Sequence, residues 1–215
     1  MNPNWAEENL QTIRTLMERS AVYRRALAPI MTLAGIIGLV AAAAGVLFDI
    51  NRTKSFGLFW LGVAVVAIVV ALIIARRQAM KDREKFWSPP TRQVAQAMAL
   101  PLAIGFILSL FLVILDKDDA PASGFITTFI WMLFYGSALY SAGFFIPRGI
   151  KIFGLIFVIS ALFLIVAVAE RWLPQQLLDM LDNTSAHWLM GFFFGILHLA
   201  YGVYLYFTEK KNPVA

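Results

Sequence analysis

Six long stretches of the chain carry no Lys, Arg, Asp or Glu: Leu27–Phe48, Phe56–Ala75, Ala97–Leu115, Gly124–Ile146, Ile152–Ala169 and Trp188–Phe207. The 18 basic and 13 acidic side chains all fall in the segments between and around them. A helix rising about 1.5 Å per residue needs about 20 apolar residues to cross a hydrocarbon layer about 30 Å thick. Each stretch has roughly that length. Backbone polar groups in lipid must be paired within a helix or around a closed barrel, and these runs are far too long for barrel strands. The pattern therefore predicts an all-α integral membrane bundle of six transmembrane helices, residues 27–207. The short connections Asp49–Ser55, Asp116–Ser123 and Pro147–Lys151 predict antiparallel neighbours, in three hairpins.

Outside the spans the periodicity changes. In residues 1–26, Asn4–Arg25 predicts a cytoplasmic amphipathic helix: Asn4 and Glu7 have capping-box spacing, and Leu10, Ile13 and Met17 fall on one apolar stripe. The second loop reads as a basic continuation of the second helix through Arg76 and Arg77, broken at Pro89-Pro90, with Thr91 capping the third helix and Trp87 anchoring at the interface. Pro174 opens a short interfacial helix beside Trp172 on the other side. Residues 208–215 form a polar tail.

Charge distribution gives the orientation. Fourteen Lys and Arg lie on the side of the two termini and four on the other, so the positive-inside rule places both termini in the cytoplasm. The net charge of +5 thus divides between a basic inner face and a weakly acidic outer one, which suits an anionic leaflet and implies no nucleic-acid partner. No cleavable signal peptide is expected, because a long polar segment precedes the first apolar run. With 60% hydrophobic and 14% charged residues, the composition is that of a protein solvated by lipid. The absence of cysteine removes thiolate catalysis and thiolate metal sites.

The segments Glu8-Asn9-Leu10, Thr12-Ile13-Arg14, Leu16-Met17-Glu18-Arg19, Tyr23-Arg24 and Phe86-Trp87-Ser88-Pro89-Pro90-Thr91-Arg92 resemble a group of uncharacterised bacterial integral membrane proteins. The resemblance implies a bacterial inner-membrane protein with this tail-plus-bundle layout. It carries no activity, ligand or catalytic residue.

The last span holds the most suggestive residues. Gly191, Gly195, His198 and Gly202 recur at helical spacing, so a close-packed face with a mid-membrane histidine is expected. The hydroxyls weighed as partners of His198 are Ser109, Thr127, Thr128, Ser137, Tyr140, Ser141, Ser160 and Tyr201. Ala34, Gly38 and Ala42 form a second small-residue ridge on the first span. His187 lies eleven residues from His198 on one helix, about 16 Å along its axis, so the two cannot share a haem iron. Asp179, Asp182 and His187 are more simply read as a solvated face than as a metal site. The spans hold no acidic pair, no Ser-His-Asp set and no phosphate-binding glycine loop. The expectation is a non-enzymatic protein with no cofactor and no metal. Its cytoplasmic tail and basic loop would serve regulation or assembly, in a homo-oligomer or with a membrane-protein partner, through Leu10, Ile13, Met17, Arg76, Arg77 and Trp87. The alternative is a transporter or channel for a neutral or lipidic small molecule, using a cavity bounded by helices four and six near His198, Tyr201, Tyr140 and Trp131.

Overall fold

The computed structural model describes residues 26–81, 86–115, 123–146, 148–172, 174–176 and 182–209. Six helices are long and apolar enough to cross a membrane: α1 (Ala26–Leu47), α2 (Thr53–Lys81), α3 (Pro89–Leu115), α4 (Ser123–Ala142), α5 (Arg148–Ala169) and α6. The last is α-helical over Asn183–Met190 and Leu197–Glu209, with a π-helical segment, Gly191–Ile196, between them. Among the described residues there is no strand. This is a multi-pass, all-helical membrane protein. The stretch 4–25, with Leu10, Ile13 and Met17, lies outside the described residues.

The ends of the bundle are chemically distinct. We call the end bearing Arg76, Arg77 and Lys151 the basic end. There α2 continues without a break through both arginines to Lys81, as the loop sequence suggested. Helix α3 begins at Pro89, so the proline pair opens the helix, where a missing N–H and a fixed φ cost nothing. Thr91, expected as the cap, instead sits in the first turn with its hydroxyl 2.9 Å from that of Ser88. Helix α4 stops at Ala142, short of the expected Ile146, because the chain turns at Gly143–Phe145.

At the opposite end α1 and α5 stop in the same way. Asp49 and Arg171 adopt left-handed φ values of 52° and 51°. In the first turn Ile50 N–H bonds the Gly45 carbonyl and Asp49 N–H that of Val46. In the second, Trp172 N–H bonds Ala167 and Arg171 N–H bonds Val168. Both are Schellman turns built without glycine, and they satisfy carbonyls that a helix end would otherwise leave unpaired.

Helix α4 is the axis of the bundle, packed closely against α3 and α5 and also against α2 and α6. The first and last helices are zipped antiparallel. A Cβ at Gly35 would lie 2.5 Å from Leu199 N, one at Gly195 2.8 Å from the Leu39 side chain, and one at Gly202 2.5 Å from Thr32 Oγ1. Gly38 meets the Phe194 carbonyl and Gly191 meets Ala42. Only glycine permits backbones this close, and close packing is the main attraction available between helices in lipid. One core cluster, including Met132, Ile150, Phe157 and Phe193, joins α4, α5 and α6; a second, including Ala42, Phe56, Trp60 and Met190, joins α1, α2 and α6. Large apolar side chains such as Val65, Phe111, Ile159 and Phe163 cover the outside, which requires lipid as their solvent.

Candidate functional site

Helix α6 carries both histidines into the interior, and each is wholly buried. The π segment determines what happens at His198. It shifts the backbone bonding so that Leu197 N–H reaches the carbonyl of Phe192, five residues back. The neighbouring Phe193 carbonyl accepts from the His198 ring, with Nδ1 at 3.0 Å. A carbonyl can only accept, so Nδ1 carries the proton; a second proton would leave an uncompensated charge in this apolar interior, so Nε2 is the acceptor. Tyr135 Oη, 2.6 Å from Nε2, is then the donor. Phe153, Phe157 and Phe194 surround the ring, with centroids 5.1, 5.5 and 5.9 Å away. His198 is thus a neutral imidazole with both nitrogens paired. Segments of π-helix are rare and recur at functional sites, which makes this position a candidate one.

His187 is bound in the opposite tautomer. Trp60 Nε1–H can only donate, and it lies 3.0 Å from His187 Nδ1. Nε2–H is 3.1 Å from the Ile50 carbonyl, which the Schellman turn of α1 presents. Phe56 packs on the ring at 4.6 Å, and Gly45 leaves the space the ring fills. Nearby, Asn183 accepts from Gly124 N–H at 3.0 Å and donates to the Asn51 carbonyl, while Thr184 Oγ1 donates to the Asn51 side chain at 3.0 Å. These bonds latch the α1–α2 turn to the start of α6. His187 therefore does not lie on a solvated face. Asp182 caps α6 in a reciprocal box, with Ser185 N–H at 2.8 Å from its carboxylate. Partial burial would raise the Asp182 carboxyl, but hydrogen bonds from the Ser185 amide and hydroxyl and from Thr184 outweigh it and hold it below the ordinary carboxylate range.

Between the latch and the basic end the bundle does not close. A cavity of about 480 Å³ runs among α1, α2, α3 and α4, within the range of ligand pockets. Its deep wall includes Trp131, Tyr135 and His198; its other end reaches Gln78, Trp87, Ser88 and Thr91. Along α1 it spans Ala26 to Gly38, about 18 Å of helix or close to one leaflet. The gap has a compositional cause. Helix α2 presents Ala64, Ala67, Ala71 and Ala75 to it at helical spacing, and α3 adds Ala95 and Ala99. Short side chains do not reach across. Ile68 and Leu72 line the cavity and are also about half exposed, so it communicates with the outside of the bundle along α2. Among the described residues that line it, none is charged.

The structure brings together some of the residues singled out from sequence and separates others. His198 and Trp131 share the cavity wall. Tyr201 stacks on Phe153 at 4.7 Å, one aromatic layer away from His198. Tyr140 stands apart near the basic end, where Lys151 Nζ lies 5.3 Å from its ring and 3.4 Å from that of Phe144. The partner of His198 is Tyr135, which was not among the hydroxyls weighed. Ser137 and Thr128 instead bond the Leu133 and Gly124 carbonyls, one turn back on their own helix. Gly191, Gly195 and Gly202 pack on α1, as the small residues Gly38 and Ala42 of that helix do in return, while the histidine ring turns to α4 and α5. The extra residue per turn in the π segment accounts for that departure from a single stripe. Ala34 lines the cavity, whose walls come mainly from α1, α2 and α3 beside α4, not from helices four and six alone. Arg76 and Arg77 are exposed, as is Trp87. The alanine face of α2 was the legible signal for the cavity. The chain matches no protein-family model, no curated protein and no solved structure.

Proposed function

We propose that this protein is a non-enzymatic carrier that takes a neutral, lipidic molecule from the cytoplasmic leaflet of a bacterial inner membrane into the cavity beside His198. In this reading the basic end and both termini are cytoplasmic, which the charge distribution supports. The observation that carries it is the uncharged, alanine-walled cavity, one leaflet deep and in communication with the bundle surface along α2. An apolar molecule in the inner leaflet meets no desolvation barrier on entering such a space sideways. Substitution Ala71→Phe fills it from a stretch of α2 that is not tightly packed. Native mass spectrometry of the detergent-purified protein is expected to show a retained neutral lipid. The variant is expected to lose it at least about tenfold, while stability changes by less than about 1 kcal/mol. An absent adduct, or one indifferent to Ala71→Phe, overturns the reading.

A regulatory or assembly role for the basic segments is a second proposal. Arg76, Arg77 and Trp87 are exposed where the cavity reaches the basic end. A second copy or another membrane protein seated there would lie over the cavity. Removal of residues 1–25 is expected to change native-state size or co-purifying proteins, and unchanged results count against it.

A further inference from the structure

We infer that the cavity's occupant is a single-chain neutral amphiphile with a head that both donates and accepts a hydrogen bond, such as a long-chain alcohol or primary amide. It binds head-inward between Trp131 and Tyr135, with its chain along the alanine face of α2 toward the basic end. This deepens the carrier reading and rests on it.

The argument starts from an unpaired donor. Trp131 is buried and its indole N–H has no acceptor among the described residues. A buried donor without a partner is costly and uncommon, and each one calls for an explanation. Trp131, Tyr135, Leu139 and Ala142 all line the cavity and follow one another at helical spacing on α4. The unpaired N–H therefore belongs to a side chain on the cavity-facing stripe. Four residues further on, the Tyr135 hydroxyl has committed its proton to His198 Nε2, because His198 Nδ1–H is committed to Phe193. Toward any newcomer the Tyr135 oxygen can act only as an acceptor. The deep wall thus carries one unfilled donor, sealed from solvent, and one acceptor, on residues of one helix face about 5–6 Å apart at Cβ. A hydroxyl or a carboxamide supplies both complements.

The rest of the wall restricts the head further. With no charged side chain among the described lining residues, an ionic head would lose its hydration without a counter-ion. The opposite orientation gains less. Ser88 and Thr91 already pair with each other at 2.9 Å, and the basic end borders the interface, where water competes for any polar head. In the dry interior the same bonds are stronger.

Two photoactivatable hexadecanols test the placement on the intact wild-type protein, one with a diazirine next to the hydroxyl and one with it at the methyl end. The first is expected to label α4 around Trp131–Tyr135, and the second Phe86–Thr91 or the Ala75–Ala79 stretch of α2. Unlabelled hexadecanol is expected to compete about tenfold better than hexadecane, and Trp131→Phe to narrow that ratio to about twofold. Reversed labelling, or equal competition by the alkane, overturns the head-inward assignment and leaves the carrier reading standing. If neither probe labels saturably, the carrier reading falls, and this inference with it. The labelling and competition arms need no variant, so a poorly folded Trp131→Phe leaves the test intact.

Discussion

His187 and His198 lie on one helix, both fully buried and both neutral with two hydrogen bonds, yet their surroundings differ in kind. His187 is held between groups that cannot change roles: an indole that only donates and a carbonyl that only accepts. It ties α6 to α2 and to the end of α1, and the bundle around it is closed. His198 is bonded to a hydroxyl whose oxygen can still accept from a further group, and its other side borders open space. Helix α2 shows the same division along its length. Phe56, Gly57, Trp60 and Leu61 are buried near the latch, whereas from Gly62 to Gln78 no residue is. One end of the molecule is a fixed joint and the other a space kept open by short side chains. The comparison teaches that burial of a histidine in a membrane bundle says little about its role; what its partners leave unfilled says more.

The contrast can be broken most severely at the zipper that supports both sites. Gly38→Leu places a side chain against the Phe194 backbone, so α1 and α6 must separate. A loss of about 3 kcal/mol, or failure to accumulate in the membrane, is expected from melting curves and expression in detergent extracts. An unaffected melting temperature would show that the two helices do not pack as described.

His187→Ala attacks the fixed joint. It leaves the Trp60 N–H and the Ile50 carbonyl unpaired and opens a void among Phe56, Phe59 and Gly45. A cost of about 2 kcal/mol follows, with hydrogen exchange rising first in the turn around Asn51. Tyr135→Phe is the matching change beside the cavity. It removes one donor and leaves His198 Nε2 without a partner, at a cost of about 1.5 kcal/mol. Nitrogen NMR of labelled histidine distinguishes the two: wild type is expected to show one proton on Nε2 and the other on Nδ1, and Tyr135→Phe to perturb only the second.

The smallest effect belongs to the cap. Asp182→Ala is expected to cost about 1 kcal/mol by exposing the Ser185 amide. Because the carboxyl lies below its ordinary range in the folded protein, its contribution is complete above the unfolded value near about 4 and is lost as pH falls through the folded one. Wild type and variant should therefore converge in stability only under acid conditions, as thermal melts across pH would show.

These sites were unequally legible. The residue types were visible, since an intramembrane histidine, a buried tryptophan and glycine ridges all stand out in a sequence. Their partners were not. Tyr135 lies 63 residues from His198 and Trp60 lies 127 from His187, and nothing local links them. The alanines of α2 were present in the sequence, but a small-residue stripe reads equally as a packing ridge or as a cavity wall. On α1 such a stripe meets another helix, and on α2 it meets space.

What the sequence determined by itself is the solvent and the element count, because excluding every charge from six spans is a local property and lipid tolerates only helices of that length. What the tertiary structure decided is which helices meet, where a π turn diverts His198 from the glycine stripe, and where the Schellman turns at Asp49 and Arg171 stop the chain without glycine. Those outcomes depend on backbone contacts between distant segments, and in lipid such contacts arise from shape and hydrogen bonding, with no hydrophobic pattern to announce them.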